Sequence, residues 1–380
     1  MVLACAAPAT AQPTHAWSRS FVHMDHGLWE GNVFHGLRMD SQQNTYWFSC
    51  VAGAVDMDPG PDTTAFFAPV GYTYGDAVIA KFDSTGALVW ARHFNTGSNF
   101  FYIADLALDE SAGVFAICGQ YHGDQDIDPG PDTVDLPTAT TLYSGFVALF
   151  DTAGNHLSHM NYAVGSLSAA RCTALGFLPD HSLLVAGHYY GALDIDPNGT
   201  TNLPSASWSP FLARYSVPFV LEQYFPITGC SGFIKDIEVL ANGNVALVGE
   251  GTGLGVDFDP SPSNSATNVG LANTGAFYAL YTGALELVWA KGHWSAAATI
   301  QAQHLCGDAV GDVYISGYYA INNSSISFDL NPTSGVESNI YYLHSQQLPG
   351  RYLIKFAASG SYQWGRMLQG AASGMNAFAG

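Results

Sequence analysis

An all-β fold, a β-propeller of four-stranded antiparallel blades, is what this 380-residue chain predicts, and three observations carry the reading. An acidic element ending in proline recurs five times. Two pairs of short apolar runs flank the copies, and no stretch of useful length carries helical periodicity. The copies are Asp56-Met57-Asp58-Pro59-Gly60-Pro61-Asp62, Asp126-Ile127-Asp128-Pro129-Gly130-Pro131-Asp132, Asp194-Ile195-Asp196-Pro197, Asp257-Phe258-Asp259-Pro260 and the degraded Asp329-Leu330-Asn331-Pro332. Their intervals are 70, 68, 63 and 72 residues. Self-similarity at a near-fixed period means that each unit buries its apolar face against copies of itself.

Each element of the repeat follows from that register. Upstream of the acidic mark lies a β-rich run ending in glycine, as in residues 46–53, 114–119, 183–187, 245–249 and 313–317. A further apolar segment and a polar turn precede it, such as Asp109-Glu110-Ser111-Ala112-Gly113, so the two runs read as a hairpin. Downstream, residues 76–92 give a second hairpin around a glycine-bearing turn, with equivalents at 146–162, 211–225, 277–291 and 352–366. Four strands per unit of 63–72 residues favour a blade over a β-solenoid, whose coils repeat every ~20 to 30 residues. The surplus over an ordinary blade of ~40 to 50 residues falls between the second and third strands.

The stretch Gly311-Asp312-Val313-Tyr314-Ile315-Ser316-Gly317, the strand Ala80-Lys81-Phe82-Asp83 and the run from Gly86 to Trp90 resemble the bacterial seven-bladed β-propeller repeat family. The Asp-x-Asp-Pro-Gly insert resembles a subgroup found in exported proteins that carry a separate C-terminal sorting domain. The resemblance covers residues 17–380 and implies the propeller fold. It implies no activity, because that family is defined by its repeat. Five repeats rather than seven are visible between residues 17 and 380.

Blade counting gives full sets at about 34–94, 102–164, 171–226, 233–293 and 302–368, within one domain spanning 12–380. Residues 16–21 match the outer strand of a blade whose first three strands are missing. Propellers commonly complete one blade from both chain ends, which protects sheet edges. Three further strands after Gly380, at least six blades and an incompletely closed ring are therefore expected; a five-bladed ring with an extra strand at Trp17 is the alternative. Residues 1–11 read as the remnant of a signal peptide, with Ala9-Thr10-Ala11 fitting a cleavage site.

The chain has 31 acidic against 11 basic residues, a net charge of -20, and only 11% charged residues. Such acidity excludes nucleic acid as a partner class, and no segment approaches the ~20 apolar residues of a membrane span. Seven of the eleven basic residues recur at blade positions: Arg19, Arg92, Lys291 and Arg366 follow a repeat tryptophan, and Lys81, Arg214 and Lys355 precede an aromatic. The six cysteines are irregularly spaced and show no C-x-x-C, so buried thiols are expected, with Cys50 to Cys118 the one pairing left open. A monomeric protein at the cell surface or outside the cell is the resulting expectation.

The acidic elements are the only candidate metal chemistry. On an extended stretch Asp56 and Asp58 point to one side, and Pro59-Gly60 then turns the chain. With Asp62 the loop gathers up to three carboxylates, and calcium takes about 6 to 8 such oxygens. The candidate ligands are Asp56, Asp58, Asp62, Asp126, Asp128, Asp132, Asp194, Asp196, Asp257 and Asp259. The competing reading is that these are turn formers whose side chains cap local amides.

All five inserts decorate one face, together with Tyr72, Tyr74, Tyr143, Tyr189, Tyr190, Trp208, Tyr318, Tyr319, Tyr341 and Tyr342. Aromatic surfaces of this kind stack on sugar rings or anchor protein partners. No nucleophile elbow, zinc-helix or phosphate-loop motif occurs, and the cluster His23, Asp25, His26 and His35 reads as solvated or packed loop. The expectation is a non-enzymatic scaffold that binds protein or glycan. The alternative is an extracellular hydrolase or lyase, which would betray itself by an asymmetric polar cluster with shifted carboxylates at the central channel.

Overall fold

The structure, a computed structural model, describes residues 22–23, 34–51, 53–68, 76–95, 99–164, 168–261, 268–295, 298–321, 325–332, 340–344 and 350–368. These residues are all-β, and five four-stranded antiparallel blades are arranged as a propeller. Blade 1 is Phe34–Met39, Thr45–Val51, Asp76–Phe82 and Leu88–Phe94; blade 2 is Phe100–Asp109, Val114–Asp126, Asp135–Asp151 and His156–Asn161. Blade 3 is Ala169–Phe177, Leu183–Asp194, Asn202–Ser216 and Val220–Pro226; blade 4 is Ser231–Val239, Val245–Asp257, Asn268–Tyr281 and Leu287–His293. Blade 5 is Ala298–Gly307, Val313–Ile321, Gly350–Phe356 and Tyr362–Leu368. First strands of consecutive blades neighbour one another from blade 1 to blade 5, so they form the inner wall.

The apolar alternation of the strands is spent between blades. Cys118, Val147, Leu175, Val185 and Phe211 join blades 2 and 3, and Leu184, Leu212, Ile237, Leu247 and Phe277 join blades 3 and 4. Full burial of such a side chain contributes about 1.5–3 kcal/mol, so each blade depends on its neighbour. The five described cysteines, Cys50, Cys118, Cys172, Cys230 and Cys306, are free thiols, and Cys50 and Cys118 do not pair.

Repeat tryptophans and basic residues lace the outer part of these interfaces. Trp90 of blade 1 donates its indole N–H to the Thr152 carbonyl at 3.1 Å in the turn between the third and fourth strands of blade 2. Arg92 reaches the Gly154 and Ala153 carbonyls of the same turn. Trp289 of blade 4 repeats the contact on Ala358 of blade 5, at 3.1 Å. The turn glycine has two jobs here: Gly154 has φ 79°, and a Cβ on it would meet Trp90 at 3.3 Å and Arg92 at 3.1 Å.

The surplus in each repeat is a prolongation of the second and third strands beyond the blade, broken by register shifts in blades 2, 3 and 4. In blades 1 and 5 it forms separate hairpins, Gly53–Asp56 with Ala65–Ala68 and Ser325–Asp329 with Ile340–His344. The chain leaving one blade pairs with the next insert: Ala163↔Asp194 after blade 2 and Thr228↔Asp257 after blade 3. Val22↔Asp56 places the entering chain at the same station beside blade 1. The outer strand expected at 16–21 lies outside the described residues, as do residues 1–11 and the histidine cluster's Asp25 and His26.

Candidate ligand site at the propeller axis

Tandem turns are what the structure makes of the acidic elements. Asp56 Oδ1 accepts from the amides of Asp58 at 3.0 Å and Thr64 at 2.9 Å, and Asp58 Oδ1 accepts from Gly60 at 2.7 Å. The pattern recurs with Asp126 on Asp128 and Val134, and with Asp128 on Gly130. Asp194 takes Asp196 and Thr201, Asp196 takes Asn198, Asp257 takes Asp259, and Asp259 takes Ser261. Asp62 and Asp132 are exposed and stand apart from this pattern. The residue between the paired acids, Met57, Ile127, Ile195, Phe258 or Leu330, is completely buried in every copy. The motif thus anchors each insert through its apolar centre while the acids close the turn. Among the described residues no group of three or more His, Cys, Asp or Glu side chains stands close enough to hold an ion.

The aromatic residues of the insert face divide. Tyr189 and Tyr319 are buried and roof the core, Tyr190 is exposed, and Tyr143, Trp208 and Tyr318 are half-buried beneath guanidinium groups. Side chains of Tyr72, Tyr74, Tyr341 and Tyr342 lie outside the described residues. Between blades 2 and 3 a cavity of about 500 Å³ is lined by Asp135, His159, Asp194, Asp196 and Phe219, so the third acidic element also walls a groove.

A polar cluster that the repeat motifs did not announce lies at the axis. Every first strand carries a β-bulge at the same place, between Phe34 and Gly36, Ile103 and Asp105, Cys172 and Ala174, Ile234 and Asp236, and Ala302 and His304. A bulge re-aims the residues beside it, here on the inner wall. The equivalent residue after the bulge is therefore Gly36, Asp105, Ala174, Asp236 or His304, and two residues further on stand Arg38 and Glu238. Arg38 Nη2 binds Asp105 Oδ1 at 2.7 Å across blades 1 and 2. Asp105 also accepts from its neighbour Leu106 at 2.8 Å and from Leu175 of blade 3 at 2.9 Å. Asp236 of blade 4 accepts from Leu305 of blade 5 at 3.0 Å, and His304 Nδ1 lies 3.8 Å from the same oxygen. Thr173 donates to the Ile234 carbonyl at 2.9 Å, which closes the blade 3 to blade 4 step.

These groups feel one another's charge across the axis. Burial, reinforced by Asp105, pushes the Asp236 carboxyl up to about 8 against the opposing pull of Arg38 and the Leu305 amide. Burial also raises Glu238, with Arg38 opposing and Asp105 adding to the rise. His304 is lowered by burial and then by Arg351 and Arg38. Arg38 itself is raised, chiefly by Asp105, with Asp236 and Glu238 of blade 4 contributing. At neutral pH the layer therefore offers a protonated acid on Asp236 and a neutral imidazole on His304. His304 is the accessible member, its side chain 54% exposed against 18% for Asp236.

Fold and site together define a repeat protein of the β-propeller class with a symmetry-broken axis. Compared with protein-family profiles and with curated proteins, the chain matches none of them.

Proposed function

We propose that this chain is an exported, monomeric member of the bacterial propeller-repeat family it resembles, and that it binds a protein or glycan ligand whose entry point is the axis. The observation that carries the reading is the divergence of one structural position into Gly36, Asp105, Ala174, Asp236 and His304. A repeat keeps one chemical class where the fold alone requires it, as the apolar centre of the acidic element does with Met57, Ile127, Ile195, Phe258 and Leu330. Export is supported by the short apolar start and by the sparse, acidic charge of -20.

Thermal melting of the whole chain with panels of oligosaccharides and peptides tests this. A ligand at about 100 times its dissociation constant adds ~2.7 kcal/mol to the native state. A ligand-induced rise that survives Asp56→Ala and disappears in His304→Ala supports the axis. A rise lost with Asp56→Ala and kept in His304→Ala would return the ligand to the insert face.

A second reading, a hydrolase or lyase at the same place, is favoured by one observation. Asp236 is held as an acid and His304 as a base only 3.8 Å apart, the opposed tuning that acid–base catalysis uses. Chain cleavage that falls at least a hundredfold in Asp236→Asn would establish this reading, whereas binding without turnover would leave the scaffold.

A further inference from the structure

A second set of polar residues, on first and second strands and nearer the insert face than the acid–base layer, has side-chain atoms without hydrogen-bond partners among the described residues. Arg171 of blade 3 lies with its guanidinium over the ring of Tyr143 from blade 2 at 4.9 Å and over Trp208 at 5.3 Å. Its Nε is buried and has no partner among the described residues. Rings on the guanidinium leave its in-plane edge for a ligand, the geometry in which arginine grips a carboxylate. The cross-strand neighbour of Arg171 is His188, only 4% exposed, whose two ring nitrogens also lack partners among the described residues. Trp208 at 5.2 Å and Phe233 of blade 4 at 4.6 Å hold that imidazole edge-on.

The same position in the neighbouring blades repeats the condition. Gln120 in blade 2 and Glu250 in blade 4 occupy the station of His188, each just after the glycine of its second strand. Gln120 Oε1 and Glu250 Oε2 are buried without a hydrogen-bond partner among the described residues, although Glu250 Oε1 binds Lys235 at 2.7 Å. Native proteins pair nearly all buried polar atoms, and here one row over three blades leaves four side chains incompletely satisfied. Donors at Arg171 and His188 call for an acceptor, while the open oxygens of Glu250 and Gln120 call for hydroxyl donors. Trp208 leads outward to Tyr190, 6.0 Å away and 39% exposed, which continues an aromatic wall suited to the face of a sugar ring.

We infer that Arg171, His188 and the Tyr143–Trp208 walls bind a hydroxy-carboxylate, with the carboxylate on the arginine edge and hydroxyls toward Glu250 and Gln120. The source of that group is a uronate residue of a glycan or a free hydroxy acid. Within an acidic chain, Arg171 supplies the local positive charge that draws such an anion, since Lys235 is paired with Glu250.

Calorimetric titration of the whole chain with D-galacturonate, its trimer, neutral galactose and lactate tests the inference. The acidic probes should bind and galactose should bind at least tenfold more weakly. A trimer tighter than the monomer identifies a glycan, and lactate at least as tight as galacturonate identifies a free acid. Arg171→Lys, which keeps the charge and loses the planar fork, should weaken binding at least tenfold, and Trp208→Phe should weaken it less, both with melting temperatures near that of the parent. Unchanged binding in Arg171→Lys, or silence of every acidic probe toward folded protein, overturns the inference. The acid–base layer is separable: acidic binding that needs Arg171 but ignores His304→Ala leaves this box standing without it. Silent acidic probes beside another ligand lost in His304→Ala leave the axis reading standing and this inference overturned.

Discussion

Asp236 is the residue on which pH acts most directly. Its carboxyl is raised to about 8 in the folded chain from 3.8, so between those values the native state binds more protons than the unfolded state. Stability contributed by this group is full below pH 3.8 and is lost as pH rises through 8. Asp236→Asn, compared with the parent in urea melts at pH 5 and pH 8.5, should gain relative stability at the higher pH; an identical difference at both would contradict the account. His293 works in the opposite sense. Burial lowers it to about 4, and its Nε2 donates to the Asp329 carbonyl at 2.8 Å. The unfolded chain binds the extra proton between 6.5 and 4, so His293 takes stability away as pH falls through that window, and His293→Gln should flatten the acid limb of the melt profile.

At the scale of the element, the acidic turns and the lacing turns are where a single substitution is most informative. Asp56→Ala removes the acceptor of two insert amides and should cost about 1–2 kcal/mol by urea unfolding with or without calcium. A melting rise specific to calcium, absent from the Asp56→Ala, Asp126→Ala double variant, would add an ion to the turns. Gly154→Ala forces a side chain into φ 79° against Trp90 and should cost about 1 kcal/mol or more, whereas Gly113→Ala, with φ 70° and open space around it, should cost less. The repeat spacing makes the blades, the insert position and the turn residues legible in the sequence, because those features recur and are local. The first-strand bulges were not legible, since a one-residue change of phase in a strand of nine or ten residues leaves too few alternating positions on either side to mark it. Without the bulge, Asp105, Asp236 and His304 do not align, and a search for what repeats passes over residues whose signal is that they differ. The His188 ring, whose nitrogens lack hydrogen-bond partners among the described residues, was hidden for another reason: its surroundings come from two blades and three strands.

For the whole molecule, the arrangement of blades brings groups far apart in sequence to one electrostatic site. Arg38 in blade 1, Asp105 in blade 2, Asp236 and Glu238 in blade 4 and His304 in blade 5 share one field only if the propeller sets their first strands around a common axis. The basic residues scattered through the chain acquire their roles the same way, Arg92 and Arg214 reaching the turns of the next blade and Arg171 an aromatic slot between blades. The central claim, a single coupled acid–base site at the axis, is tested most directly by an NMR titration of the His304 imidazole in the parent chain and in Arg38→Gln. The account predicts that His304 titrates below 6.5 in the parent and moves upward when the blade 1 cation is removed. Titration at or above 6.5, unmoved by Arg38→Gln, would contradict it.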